Sequence, residues 1–283
     1  MIIGITGFSG VLGRAICKEL SSLKNCKIVK YKNDILNKSR VKKWILDNDF
    51  DIIIHLAAVV PIKQFNNSNK YAEDVNYKGT INVVDSLKFT KKKVFLFFSS
   101  TSHVYKKSYS KINEKSVLMA INRYGLSKLK AEKYIQSYQK RNNFDYSIGR
   151  IFSYTSIYQT EDFFIPSMFK KIRKTKNTFI VNFKNEYRDF IYINDIVLMI
   201  KKLILNKKTG IYNICSGNKV STHEIIKKIC NKMKKKYSFL YEDKKFLGLL
   251  GSNSKIKKIY KKDVKSIDYI IKDYFNFFKR WNP

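Results

Sequence analysis

In the first half of the chain, short apolar runs alternate with stretches whose apolar positions recur every three or four residues. Ile2 to Thr6, Lys27 to Tyr31, Asp51 to Leu56, Val94 to Ser99 and Tyr146 to Arg150 have the length and the β-branched or aromatic content of strands. Between them, Val11 to Leu23, Ser39 to Asp47, Asn69 to Lys88 and Ile121 to Arg141 carry helical spacing. Ile52-Ile53-Ile54 and Val94-Phe95-Leu96-Phe97-Phe98 show no polar alternation. A strand that is apolar on both sides is covered on both sides, as in a parallel sheet wrapped by helices. Repeated strand–helix–strand units therefore predict an α/β fold with a doubly wound parallel sheet.

After about residue 151 the rhythm loosens. Phe163 to Lys174, Asn194 to Leu205, Thr222 to Lys235 and Tyr269 to Phe278 predict helices, with short strands such as Phe190 to Ile193 between them. Residues 1–150 are expected to form the sheet domain. Residues 151–283 are expected to be mainly a smaller substrate-binding lobe that returns some segments to the sheet.

Composition narrows the partners. The chain has 283 residues, 44% of them hydrophobic, enough for one large or two intimate cores. Its formal net charge of +35 raises the question of nucleic acid. Only eight of the 57 basic residues are arginine, however, and the lysines are spread along the whole chain. Phosphate and base readers favour the forked guanidinium, so no nucleic-acid partner is expected. The positive field instead favours an anionic substrate. Cys17, Cys26, Cys215 and Cys230 lack paired or metal-type spacing, and His55, His103 and His223 are scattered. Reduced thiols and no metal site are expected. No apolar run approaches the ~20 residues of a membrane span, and Met1-Ile2-Ile3 leads straight into a strand. No membrane association and a cytoplasmic location are expected.

Two motifs carry chemistry. Gly4-Ile5-Thr6-Gly7-Phe8-Ser9-Gly10-Val11-Leu12-Gly13 joins the first strand to the first helix. Glycines there allow a tight turn and let the backbone approach a pyrophosphate at the helix N-terminus, the signature of a Rossmann-type dinucleotide site. Where NAD enzymes place an acid after the second strand, this chain has Lys30-Tyr31-Lys32, and Arg14 follows the last glycine. Cations there suit a 2′-phosphate, so NADP(H) is favoured over NAD(H). Asp34 and Ile35 are placed to meet the adenine edge. The second motif is Tyr124-Gly125-Leu126-Ser127-Lys128. On a helix the phenol and the ammonium rise from one face, one turn apart. A nearby ammonium is expected to draw the phenol down toward the working pH range. The pair would then move a proton to or from a carbinol or carbonyl oxygen. Phe98-Ser99-Ser100-Thr101-Ser102-His103-Val104-Tyr105 ends the fourth strand, where open α/β sheets place their chemistry.

With these motifs in order, and with His55-Leu56-Ala57-Ala58, Asp74-Val75-Asn76-Tyr77-Lys78-Gly79-Thr80, Arg188-Asp189-Phe190-Ile191-Tyr192-Ile193-Asn194-Asp195-Ile196 and Gly210-Ile211-Tyr212-Asn213-Ile214-Cys215-Ser216-Gly217, the chain resembles the extended short-chain dehydrogenase/reductases, in the branch acting on nucleotide sugars. The resemblance implies Tyr124 as acid/base, Lys128 as its modulator and a ribose contact, and Thr101 as the catalytic hydroxyl. It implies cofactor contacts from Gly7, Phe8, Ser9, Gly10, Val11, Leu12, Gly13 and Arg14, from Leu56, Ala57, Ala58, Asn76 and Ser99, and from the positions after the second strand. Substrate contacts are implied for Thr101, Ser102, His103, Ser153 and Arg188, the last on nucleotide phosphates. Asp195 is expected to be structural. A homodimer through the helices at about 69–88 and 121–141 is implied as well.

The same residues serve three reactions. Reduction of a nucleotide-linked 4-keto-6-deoxy sugar at C4 leads. It is favoured by the short length, the basic end of the second strand and Asp162-Phe163-Phe164-Ile165-Pro166-Ser167, which resembles reductases of GDP- and CDP-linked deoxy sugars. A 4-epimerase with bound NAD is the alternative. A 4,6-dehydratase is less favoured, because the acid that such enzymes carry two positions after the hydroxyl is His103 here. His103 is then either a proton-transfer group or a polar lining residue. Arg150-Ile151-Phe152-Ser153 departs from the Arg-x-x-Asn of many members, which puts the Ser153 contact in doubt.

Overall fold

The structure, a computed structural model, describes residues 1–60, 69–139, 142, 144–183, 185–241 and 247–281. The strands are β1 (Ile2–Thr6), β2 (Lys27–Lys30), β3 (Ile52–His55), β4 (Val94–Thr101), β5 (Phe144–Ile151), β6 (Ser153–Thr155), β7 (Thr178–Val181), β8 (Tyr187–Arg188), β9 (Phe190–Tyr192), β10 (Gly210–Ile214), β11 (Val220–Ser221) and β12 (Lys236–Phe239). Six of them form one sheet in the order β10-β5-β4-β3-β1-β2, with every pair parallel. This is the doubly wound α/β sheet expected.

The unbroken apolar strands explain the layering. Ile52, Ile54, Phe95 and Phe97 face helices Val11–Leu20 and Ile193–Leu205. Ile53, Leu96 and Phe98 face the opposite layer, helices Lys38–Asp47, Asn69–Leu87 and Arg123–Gln139. Alternate residues point to opposite sides, so the stretches of β3 and β4 buried twice are apolar on both faces. A third core is built by helices Phe164–Lys174, Thr222–Met233 and Ile267–Trp281 with residues of β7, β9 and β11. Strand β10 and helix Ile193–Leu205 come from the second half of the chain yet belong to the first-half sheet.

Several helix boundaries differ from expectation by one to three residues, and two of these have a clear local reason. The first helix ends at Leu20 rather than Leu23, where Ser21 and Ser22 donate to the carbonyls of Lys18 and Glu19. The helix expected from Ile121 begins at Arg123, because the Asn122 side chain accepts the Gly125 amide and caps it. Its expected end at Arg141 lies outside the described residues. The strand pairs β6–β9, β7–β12 and β8–β11 were mostly not expected, since runs of two to four residues are too short to display a period.

Strand β1 pairs with β2 on one side and β3 on the other. The chain thus changes direction beside β1, and a crevice opens at the carboxyl ends of β1, β3 and β4. That is where such sheets bind ligands.

Candidate active site

The glycine turn lies at this crevice. Gly7 has φ 68°, and a Cβ on it would stand 2.5 Å from the Ala57 amide nitrogen. No L side chain fits there. Gly10 differs: a Cβ on it would meet nothing closer than the Gly7 carbonyl at 3.4 Å. Packing therefore does not demand glycine at position 10, whereas a ligand approaching the backbone would. Helix Val11–Leu20 starts at Gly10 with no side-chain cap, so its first amides keep their capacity for an anion. These features fit a dinucleotide pyrophosphate.

Two cations flank the turn. Arg14 donates from Nε to the Ser9 carbonyl at 2.7 Å, and the Lys30 ammonium lies 5.6 Å from the Phe8 ring centre. Lys32 is exposed nearby. Asp34 is turned to its own loop, accepting the Leu36 amide at 2.9 Å, while Ile35 is buried beneath it. Leu56, Ala57 and Ala58 follow β3 directly, half-buried along the crevice. Asn76 is fully buried, and its amide bonds both backbone groups of Val59 and the Ser127 hydroxyl. Asn76 thus braces the loop after β3 against the helix of Lys128.

The expected catalytic groups come together. Thr101 ends β4, and its hydroxyl accepts the His103 amide at 3.2 Å and hydrogen-bonds the Tyr124 phenol. Ser99 is half-buried on the same strand, and Ser102 is buried just beyond it. The helix of Tyr124 and Lys128 is locked to this strand end. A Cβ on Gly125 would lie 2.3 Å from the His103 carbonyl oxygen, and Ile121 donates to that same oxygen at 3.0 Å. Close approach is what requires glycine there.

The electrostatics differ from expectation. The Tyr124 phenol lies above its ordinary value, not below it. Burial is the main cause, Tyr154 adds to it, and the Thr101 bond opposes it. Lys128 takes the large downward shift instead: burial draws its ammonium down to about 7, against the pull of Glu132. Lys128 is 1% exposed, with Nζ 4.5 Å from the Phe98 ring centre. A dry site penalises the charged form of each group, and burial is the largest cause for both. At neutral pH Tyr124 keeps its proton, which makes it a donor, and Lys128 stands near its midpoint.

The second half of the chain contributes Arg188, on β8, whose guanidinium lies 5.2 Å from the Phe164 ring centre and bonds Glu186. It is one of the charges felt by His103, which places it near the reaction centre. The next residue, Asp189, is buried and accepts Ser216 N–H and Oγ–H, Gly217 N–H and Gly251 N–H. This carboxylate holds the loop after β10 against residues 249–251. Ser153, on β6, is half-buried. Asp195 accepts from the Tyr260 hydroxyl and the Lys265 amide and is structural.

Sequence reasoning missed Glu132, Arg150 and Asn122. Glu132 and Arg150 form a buried ion pair at 2.6 Å, joined by Ser100 and by the Tyr105 hydroxyl. Their signal was Glu132 one turn beyond Lys128, and Arg150 opposite Ser100 in the β4–β5 register. Asn122 gave no signal, because it falls inside the helix expected from Ile121. Among the described residues no cluster of His, Cys, Asp or Glu could hold a metal, the four cysteines are free, and no helix is long and apolar enough to cross a membrane.

Residues 3–215 match the family described as the NAD dependent epimerase/dehydratase family. Among named relatives, the chain is 29% identical over 184 residues to a Methanocaldococcus jannaschii protein provisionally named a UDP-glucose 4-epimerase, covering 62% of this chain and 59% of the relative. The chain thus spans about three fifths of that relative's length. It is 28% identical over 242 residues to the GDP-6-deoxy-D-talose 4-dehydrogenase of Aggregatibacter actinomycetemcomitans, covering 81% and 79%. Its fold is like that of RMD from Pseudomonas aeruginosa complexed with NADPH, with a TM-score of 0.87, 19% identity and 99% of each chain covered.

Proposed function

The chain belongs to the NAD-dependent epimerase/dehydratase family, and on that premise we propose that it reduces a nucleotide-linked 4-keto-6-deoxy sugar at C4. The observation that carries this reading is the buried Tyr124 phenol bonded to the Thr101 hydroxyl at the carboxyl end of β4, where burial favours the protonated form. Reduction of a ketone needs a proton donor at the carbonyl oxygen from the outset, whereas oxidation of a carbinol needs a base. The nicotinamide, when bound, supplies the hydride. Tyr124 gives its proton to the oxygen at C4 as negative charge develops there, and Thr101 hydrogen-bonds the same oxygen. Lys128, near its midpoint, can in its charged form stabilise the phenolate left behind and reprotonate it, itself becoming the neutral amine until it takes a proton from solvent. Arg188 suits the nucleotide's phosphates, by its fork and its place beside the centre. The relative named as a 4-dehydrogenase at a 6-deoxy sugar supports the choice of substrate.

Arg14 and Lys30 on either side of Phe8-Ser9 favour NADP(H), because the end of β2 reads Lys30-Tyr31-Lys32 where NAD enzymes place an acid. Helices Asn69–Leu87 and Arg123–Gln139 lie side by side, with Tyr71 and Leu126 exposed, and support a homodimer formed through them. Reduced cysteines suit a cytoplasmic enzyme.

The test is a panel of nucleotide-linked 4-keto-6-deoxy sugars incubated with protein and NADPH. Stoichiometric NADPH loss with one of them is the expected result. Interconversion of 4-epimeric sugars with no net change in nicotinamide absorbance would replace reduction by epimerisation, the second reading, which the Methanocaldococcus relative's name favours.

A further inference from the structure

We propose that His103 is a fixed hydrogen-bond donor, presenting Nε2–H to a substrate oxygen at the reaction centre, and that Asn122 sets this tautomer. The role deepens the reduction reading above and rests on it.

Donors and acceptors leave one arrangement. The Gly125 backbone N–H can only donate, and it stands 2.8 Å from Asn122 Oδ1. That fixes the amide's oxygen toward Gly125 and its NH2 toward His103 Nδ1, at 3.0 Å. An amide NH2 has no lone pair with which to accept. Nδ1 is therefore the bare nitrogen, and the proton of the neutral ring is on Nε2. Among the described residues none takes up Nε2. The ring belongs to the reaction pocket: His103 follows Thr101 by two residues, donates its own amide to the Thr101 hydroxyl, and stands edge-on to Tyr124 at 6.0 Å between ring centres.

The charged groups facing His103 are Arg188 on β8 and Lys107 beyond β4. Together with burial, the largest cause, they hold the imidazole down to about 4, so it is neutral at physiological pH. A neutral ring with its proton on Nε2 has no lone pair there to take a proton from carbon. It is also a feeble acid. His103 therefore cannot replace the acidic residue that dehydratases carry at this place. It can orient a sugar hydroxyl or carbonyl, both of which accept.

Three histidines make the tautomer directly observable. In 15N-histidine-labelled protein, His103 is expected as the Nε2–H form with no titration between pH ~5 and 8. An Nδ1–H form, or a midpoint near the ordinary ~6.5, overturns the proposal. This measurement needs no turnover, so it decides the tautomer even if every sugar of the panel fails and the reduction reading falls. The donor role is read from Asn122→Asp, which keeps an oxygen for Gly125 but offers His103 an acceptor. The neutral ring then carries its proton on Nδ1, and Nε2–H exists only in the imidazolium. Turnover is expected to fall about tenfold at pH 8 and to recover toward pH 6, a limb absent from the wild type. His103→Gln, whose amide nitrogen reaches the Nε2 position, is expected to lose several-fold less kcat/KM than His103→Ala. If Asn122→Asp does not fold, this pair still decides. Equal losses in the pair, or a flipped tautomer with an unchanged pH profile, overturn the donor role.

Discussion

Two constellations of buried charge stand on one helix, one turn apart, and they have opposite characters. Glu132 meets Arg150 in a forked pair, with Ser100 and the Tyr105 hydroxyl filling the remaining positions. Every charge there has a partner, and Glu132 leaves the Arg150 guanidinium more firmly protonated than usual despite its burial. Lys128 is as deeply buried, but among the described residues it faces an aromatic ring and no paired carboxylate. Its ammonium is drawn down to about 7. Burial alone does not make a charge reactive. A partner converts burial into fixed structure, whereas lack of one leaves a proton that can move near neutral pH. Arg150 lies opposite Ser100, the residue before Thr101, so the satisfied pair braces the strand end that the unsatisfied group works against.

The largest effect should come from the reactive side. Tyr124→Phe keeps the ring and removes the proton, so turnover should fall by up to about 10⁴-fold, on the order of 5 kcal/mol in the barrier. Midpoint temperature and NADPH affinity should stay close to wild type. Loss of stability or cofactor binding in proportion to turnover, read by thermal melts and NADPH fluorescence titration, would place Tyr124 with the structural groups and end the contrast.

The mirror experiment is Glu132→Gln. It retains the shape and leaves the Arg150 guanidinium buried without its counter-charge. Breaking such a pair costs about 3–5 kcal/mol of stability. A denaturant melt should show that loss, and Arg150→Met in the Glu132→Gln background should recover part of it. A single variant as stable as wild type would mean that the pair is not the brace its geometry suggests.

How much of this was legible depended on the length of the signal. The parallel sheet was legible because Ile52-Ile53-Ile54 and Val94 to Phe98 repeat their message over whole strands. Thr101, Tyr124 and Lys128 were legible as types at fixed spacing; Thr101 and Tyr124 are hydrogen-bonded, and Lys128 lies one turn further along the helix of Tyr124. The direction of the Tyr124 shift was not. Spacing shows that an ammonium is near a phenol, but not that both are dry, and desolvation decided the sign. The Glu132–Arg150 pair was hidden for a related reason: its members are 18 residues apart and meet only through the β4–β5 register and a helix laid across it. Asn76 shows a packing role that its motif did not reveal: its amide bonds Val59 and Ser127 and ties the loop after β3 to the neighbouring helix.

The smallest effect is the most telling, because its sign separates the two constellations. Lys128→Met keeps the stem over Phe98 and removes the buried ammonium. If Lys128 were paired like Arg150, this substitution would destabilise the fold. It should instead stabilise it, by about 1–2 kcal/mol after relaxation and solvent access are allowed for. The pH dependence follows from the downward shift. Below pH 7 the ammonium is charged in both folded and unfolded chains, and the folded chain bears the whole desolvation cost. Above pH 7 the folded chain releases the proton while the unfolded chain keeps it to about 10.4, so the cost fades across that interval. The stability gain of Lys128→Met should therefore be full at pH 6, smaller at pH 8 and nearly gone at pH 10, while turnover is lost throughout. Guanidinium melts at the three pH values check it, and a gain that is flat with pH, or a loss at pH 6, would show that Lys128 has a counter-charge in the folded protein after all.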